Sequence, residues 1–273
     1  MTYLQITIPV SDPAVQEILI ANLAGSGYEG FEEQPEHLQA FIPEEKFSRP
    51  ELEEILAPWQ LSYTSASIGE KNWNEEWEKD FHPVVVEEFC AIRASFHDPV
   101  PGVAHEIVIT PKMSFGTGHH ATTWMMIQAM QHLEYKDRRF LDFGTGTGVL
   151  AILAARLGAP SVLAVDNDPW SIENALENVA ENQARTVFVE KMDTLPPGET
   201  FDTILANVNR HVILKELPRM RQQLNKGGVI LLSGLLLEDF EDIEKEALKL
   251  KLPISERRTR VGWICLKLEK EDN

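Results

Sequence analysis

Cysteine is scarce in this 273-residue chain: only Cys90 and Cys265 occur, far apart. That spacing builds neither a metal site nor a disulfide framework, so a reducing, cytoplasmic setting is expected. Basic residues are also short. Lys and Arg number 25 against 43 Asp and Glu, a formal net charge of −18. Phosphate backbones would be repelled, so nucleic acid is not expected as a direct ligand. Long apolar runs are lacking too. Val229 to Leu237, interrupted by Ser233 and Gly234, is too short to span a bilayer. Met1 to Val10 has neither a basic flank nor a long apolar core and does not read as a signal peptide. What is present is an ordinary apolar fraction, 43%, sufficient for a packed core. The length suits one large domain or a large one with a small companion.

The acidic excess is uneven. Residues 1–80 hold 16 acidic and 4 basic residues, a net of −12, and the remaining residues carry −6. A basic protein partner and a merely solubilising surface both fit this concentration. Within the segment, Leu4, Ile6, Ile8 and Val10 alternate with polar residues as a half-buried strand does. Asp12-Pro13 opens a helix with an apolar stripe of Val15, Ile18, Leu19 and Leu23. Short strands are expected over 28–32 and 38–42. A capping box, Ser48 and Glu51, starts a second helix, and 61–68 returns as a strand. The order β-α-β-β-α-β suggests a small α+β, ferredoxin-like domain over 1–70. Trp73, Trp77 and Phe81 then recur every fourth residue, the aromatic stripe of a linker helix over 71–82. A packed connector and a hinge between domains both fit it.

From residue 83 to 273, strand and helix patterns alternate and end in two strand-like runs, Ile254–Val261 and Trp263–Leu268. This predicts an α/β domain with a doubly wound, Rossmann-like sheet and a terminal antiparallel hairpin. The densest signal lies inside it. An apolar strand, Arg139 to Phe143, enters a turn with Gly144, Gly146 and Gly148, and the next strand ends on Asp166. Glycine lets a nucleoside approach the backbone, and a carboxylate ending the second strand can accept from both ribose hydroxyls. The spacing is G-x-G-x-G, whereas dinucleotide sites prefer G-x-G-x-x-G. Asp142, just before the turn, would repel a pyrophosphate and suit the ammonium of a methionine moiety. The unit is similar to that of class I S-adenosylmethionine (SAM) methyltransferases.

Two further segments carry chemistry. Lys112 to Thr123 holds Phe115, Gly116, Gly118, His119, His120 and Thr123, a loop opening a helix whose hydroxyls can cap it. The free N–H groups of that helix start suit the methionine carboxylate. Adjacent histidines rarely face one ion, so no metal is expected. Asn207 ends the strand Phe201 to Ala206, at the sheet end where ligands bind. Its side-chain oxygen can accept from an amine. Asp193, after another strand, could receive the adenine amino group.

These motifs, with Asn72-Trp73 to Trp77 and Asp166-Asn167-Asp168-Pro169, resemble the PrmA family, whose members methylate large-subunit ribosomal protein eleven. The resemblance covers nearly the whole chain. It implies SAM contacts at Thr123, Gly144, Asp166 and Asn207, with Phe115, Gly116, Asp142, Gly146 and Asp193 completing the expected cofactor site. It implies an N-terminal substrate-recognition domain joined by a linker helix, and a basic ribosomal protein as partner. Asn207-Val208-Asn209-Arg210 departs from the family's more usual Asn-Ile-Leu-Ala, and which of His119 and His120 faces the site stays open. The implied reaction is in-line attack by a neutral amine on the methyl carbon of a sulfonium, with Asn207 as the expected catalytic residue. Other readings are a lysine methyltransferase of another protein, a small-molecule N-methyltransferase, an NAD-dependent dehydrogenase, or a binding module that keeps the fold.

Overall fold

The computed structural model describes residues 3–68, 82–111 and 116–271. The expected linker helix with Trp73, Trp77 and Phe81 lies outside the described residues, as does Phe115. The chain divides into two compact units, Met1–Phe81 and His82–Asn273.

The first unit contains β1 (Tyr3–Pro9), α1 (Pro13–Gly25), β2 (Gly30–Glu33), β3 (His37–Pro43), α2 (Arg49–Leu56) and β4 (Thr64–Ile68). Its sheet runs β2-β3-β1-β4 with antiparallel pairing throughout. Alternation in β1 and β3 turns Ile6, Ile8, Leu38 and Ile42 inward, where they pack with Leu19, Leu23, Leu52 and Leu56 of the helices.

Three local expectations need correction. Ile18 stands 48% exposed, and the neighbouring Gln16 is buried instead. Its Nε2 donates to the carbonyls of Val10 (2.7 Å) and Gln34 (2.9 Å), a tie between segments that apolar patterning cannot reveal. Ser48 occupies the N-cap of α2 but makes no side-chain cap bond. Pro50, two residues on, removes one of the two N–H groups such a cap uses. β4 begins at Thr64, because a 3-10 turn, Ala57–Trp59, and a left-handed Gln60 consume the preceding chain.

The second unit begins with a three-stranded sheet, β5 (Val84–Val86), β6 (Cys90–Ala94) and β7 (His105–Ile109), in that order. There follow α3 (Ala121–Met130), β8 (Arg139–Phe143), α4 (Val149–Arg156), β9 (Ser161–Asp166), α5 (Pro169–Glu181), β10 (Val187–Lys191), β11 (Phe201–Asn207), α6 (Arg210–Gln223), β12 (Leu224–Leu236), α7 (Phe240–Lys249), β13 (Ile254–Arg260) and β14 (Trp263–Glu269). The large sheet runs β10-β9-β8-β11-β12-β14-β13. The five strands from β10 to β12 are parallel, and β14 and β13 are antiparallel to their neighbours. This is a Rossmann-like doubly wound sheet with a terminal hairpin. Leu141, Phe201, Ile204, Ile230, Leu266 and their neighbours are fully buried on its faces, as strands covered on both sides require.

The hairpin loop holds two residues, Val261 and Gly262, at φ +48° and +80°. Such a turn matches the strand twist and needs positive φ at both central positions, so Val261 leaves the expected strand. β12 is longer than the expected Val229–Leu232 and shifts register between Leu232 and Leu235, around Gly234. Among the described residues no helix is long and apolar enough to cross a membrane.

Strand order reverses between β8 and β11. The chain winds from β8 outward to β10, then returns to add β11 on the other side. Connections diverge at that point and leave a crevice at the carboxyl ends of the strands.

Candidate active site

Several of the expected residues converge on this crevice because they lie at or just past the ends of strands there. Phe143 ends β8 and Gly144 follows it, Asp166 ends β9, Asp193 lies two residues past β10, and Asn207 ends β11. A cavity of about 380 Å³ opens between them, lined by Phe143, Gly144, Gly146, Asp166, Asp193, Asn207 and Val208, with Met192 and Val212. That volume lies in the range of small-molecule sites.

The glycine turn is held from several sides. Gly144 and Thr145 donate their N–H groups to the Val165 carbonyl at 2.9 and 3.0 Å, tying the turn to β9. Gly144 has φ +74°, and a Cβ there would run into Val208 Cγ1. Asp166 Oδ2 accepts from the Gly146 N–H (2.9 Å) and Oδ1 from the Asp168 N–H (3.0 Å). Each carboxylate oxygen keeps acceptor capacity beyond its one backbone bond. Asp168 caps α5, accepting from the Ser171 N–H and hydroxyl at 3.1 and 3.0 Å.

Asp142 sits behind this wall and does not line the cavity. It is 1% exposed, and its Oδ2 accepts from the Thr145 hydroxyl at 2.6 Å. Oδ1 is buried without a partner. Burial pushes the carboxyl up to about 7, against the pull of bonds from Thr145 and the Ala151 backbone; the Asp166 charge adds to the rise.

Asn207 has a divided amide. Its Nδ2 donates to Thr123 Oγ1 at 3.2 Å, and its Oδ1 is buried with no partner. Thr123 is 1% exposed, on α3, and does not line the cavity. It therefore orients Asn207 from behind. Thr122 and Thr123 lie within α3, whose N-cap is His120 rather than a hydroxyl residue: the His120 Nδ1 accepts from the Thr122 N–H at 3.4 Å. The His120 ring meets Trp263 edge-on at 4.6 Å, while His119 Nε2 lies 2.9 Å from the His82 carbonyl. Neither imidazole lines the cavity. Gly116 also lies outside it; its carbonyl accepts from the Thr147 hydroxyl at 2.9 Å. Among the described residues no group of three or more His, Cys, Asp or Glu is arranged to hold a metal ion.

Two contributors escape a reading of motifs. Val208 packs between the glycine turn and β12, where a Cβ on Gly234 would run into the Val208 backbone. The sequence signal is a glycine inside a strand, which marks a bulge or a close approach. The second is the polar ladder of Asn174 and Asn178 on α5 with Asn182 at its C-cap, all buried. Its signal is asparagine at every fourth position of a helix, where it would otherwise be disfavoured.

A family model described as ribosomal protein L11 methyltransferase (PrmA) matches residues 20–271. The chain is similar to the ribosomal protein L11 methyltransferase of Porphyromonas gingivalis, 40% identical over 259 residues, which is 92% of this chain and 89% of that protein. It is 40% identical to that of Chlorobaculum tepidum over 244 residues, 84% and 83% of the two chains. Among solved structures, a ribosomal protein L11 methylase from Lactobacillus delbrueckii subsp. bulgaricus matches with a TM-score of 0.66 and 29% identity, covering 70% of this chain and 100% of that one. A methyltransferase from Pyrococcus furiosus matches in fold, with a TM-score of 0.52 and 18% identity over 61% of this chain and 90% of that one.

Proposed function

Because the chain belongs to the ribosomal protein L11 methyltransferase (PrmA) family, we propose that it transfers methyl groups from SAM to amines of ribosomal protein L11, on lysine side chains or the N-terminus. The observation that carries the reading is the buried, unpartnered Oδ1 of Asn207 beside a cavity bounded by a glycine turn and a strand-end carboxylate. A buried acceptor without a partner costs stability unless a ligand supplies the donor.

The residues fit the cofactor. Asp166 would accept from the two ribose hydroxyls, and Gly144 and Gly146 leave room for a nucleoside against the backbone. Asp193 would receive the adenine amino group. Asp142, buried behind the turn with its Oδ2 on the Thr145 hydroxyl, would hold the turn in shape rather than touch the cofactor. When bound, SAM supplies an electrophilic methyl carbon on a sulfonium. The chain's task is to present a neutral amine. A free lysine has a pKa of about 10.4, so the amine must shed a proton before its lone pair is available. Asn207 Oδ1 accepts an N–H of the neutral amine, and Thr123 keeps that oxygen turned toward it. Removal of water from the site favours the uncharged form as well. No dedicated carboxylate base is needed in this scheme, and the proton passes to solvent. Alignment supplies most of the rate, up to roughly 7–11 kcal/mol in favourable cases.

Residues 1–70 form the substrate-recognition domain in this reading. The sheet order β2-β3-β1-β4 with two helices supports a ferredoxin-like assignment. Its acidity suits a basic ribosomal protein, attracted over a Debye length of about 8 Å at physiological salt. A cytoplasmic location accords with this substrate. A chain starting near Lys71 should keep SAM binding but lose most methylation of L11, and L11 binding by the full chain should weaken as salt rises. Methylation by the shortened chain at the full rate would remove the recognition role from this domain and leave its acidity as a solubility feature.

A further inference from the structure

The glycine turn is tied from the cavity side by Asp166 and from beneath by Asp142. Its last residues are held from elsewhere. Asn178, in the last turn of α5, is 0% exposed. Its Nδ2 donates to the Thr147 carbonyl at 2.8 Å and to Asn174 Oδ1 at 3.0 Å, and its Oδ1 accepts from the Thr110 N–H at 2.8 Å. Both amide hydrogens and the amide oxygen are thus engaged. Thr147 in turn donates its hydroxyl to the Gly116 carbonyl. One side chain therefore joins three pieces of backbone distant in sequence: the end of β7, the glycine turn, and through Thr147 the chain that leads into α3.

We propose that Asn178 is a positioning residue for the cofactor turn, resting on the reading of this crevice as a SAM site. It does not line the cavity. It holds the Thr147 carbonyl and so the peptide between Thr147 and Gly148, next in the chain to Gly146, which lines the cavity. Preorganised turns bind more tightly because less ordering remains to be done on binding. The neighbouring Asn182 offers an internal comparison. It is 9% exposed, one helical turn further on, and it also serves the edge of β7. Its Oδ1 accepts from the Val108 N–H at 3.0 Å and its Nδ2 donates to the Val108 carbonyl at 2.5 Å. Arg156 adds a bond at 3.1 Å. Asn182 thus ties the same helix to the same strand without bonding the turn.

The test measures SAM affinity by calorimetry, melting temperature, and kcat at saturating SAM for the full-length wild type, Asn178→Ala and Asn182→Ala. Both variants should melt lower. Asn178→Ala should raise the SAM Kd about tenfold while Asn182→Ala leaves it within about twofold, because only the first frees the Thr147 carbonyl. With SAM saturating, kcat for Asn178→Ala should stay within about threefold of the wild type, marking a loss of binding rather than of chemistry. Asn178→Asp keeps the volume and the acceptor for Thr110 but cannot donate to Thr147. It should weaken SAM as much as alanine does, and it carries the same expectation if Asn178→Ala fails to fold. Equal SAM affinities for the Asn178 and Asn182 variants would overturn the proposal and make Asn178 a packing residue. A wild type that fails to bind SAM would instead overturn the underlying reading of the site.

Discussion

Asp166→Ala should lower SAM affinity by at least tenfold. The carboxylate ends β9 at the mouth of the crevice and lines the cavity. Its oxygens each hold one backbone N–H and keep capacity for one ribose hydroxyl apiece. Hydrogen bonds to a charged group contribute about 1.5–3 kcal/mol each, and about 1.4 kcal/mol is already a factor of ten. Alanine also releases the Gly146 N–H, so the turn loses its anchor on the cavity side. Asp166→Asn, which retains one acceptor oxygen, should fall between alanine and the wild type. Calorimetric titration of the folded variants reads the effect directly. Unchanged SAM affinity in a folded Asp166→Ala variant would remove the carboxylate from the site. Tighter binding of NAD than of SAM by the wild type would restore the dehydrogenase reading.

Asn207→Ala should lower kcat by roughly ten- to hundredfold, with a smaller change in KM, since it removes an acceptor that matters most when the amine is aligned. Thr123 takes the Nδ2 end of the amide, which leaves Oδ1 as the buried end without a partner. Thr123 should show a linked effect. Thr123→Val keeps the shape but loses the bond that orients Asn207, so it should reproduce part of the kcat loss. Thr123→Ser should restore it. Steady-state kinetics against L11 at saturating SAM would check both. An Asn207→Ala enzyme with normal kcat and only a raised KM would reduce Asn207 to a binding contact.

Much of this site was legible because its chemistry sits at strand ends. Asp166 and Asn207 each follow a short apolar run, and a doubly wound sheet brings the ends of such runs to one edge whatever the intervening lengths. The three glycines were legible for a related reason: only glycine accepts the φ values near +74° and +81° that the turn uses at Gly144 and Gly148. The direction of each side chain was not legible. Asp142 precedes the turn as expected, yet its side chain is buried against the Thr145 hydroxyl and does not line the cavity. His120 caps α3 where a threonine hydroxyl was expected, since the imidazole Nδ1 reaches the same N–H and the two threonines are needed inside the helix. Contacts between distant segments were the least visible. Nothing near Gly234 or Asn178 in the sequence points to Val208 or Thr147, because those partnerships arise only when β12 and α5 close on the crevice. In the first unit the buried Gln16 and the exposed Ile18 teach the same lesson at the scale of one helix turn.

The most direct measurement supplies the purified chain with methyl-labelled SAM and the full set of bacterial ribosomal proteins, then identifies by mass spectrometry where the label resides. The expected result is label on amines of ribosomal protein L11, absent when Asn207→Ala replaces the wild type at short times. Label on a different protein, on small molecules alone, or on nothing at all would contradict the assignment of L11 as substrate.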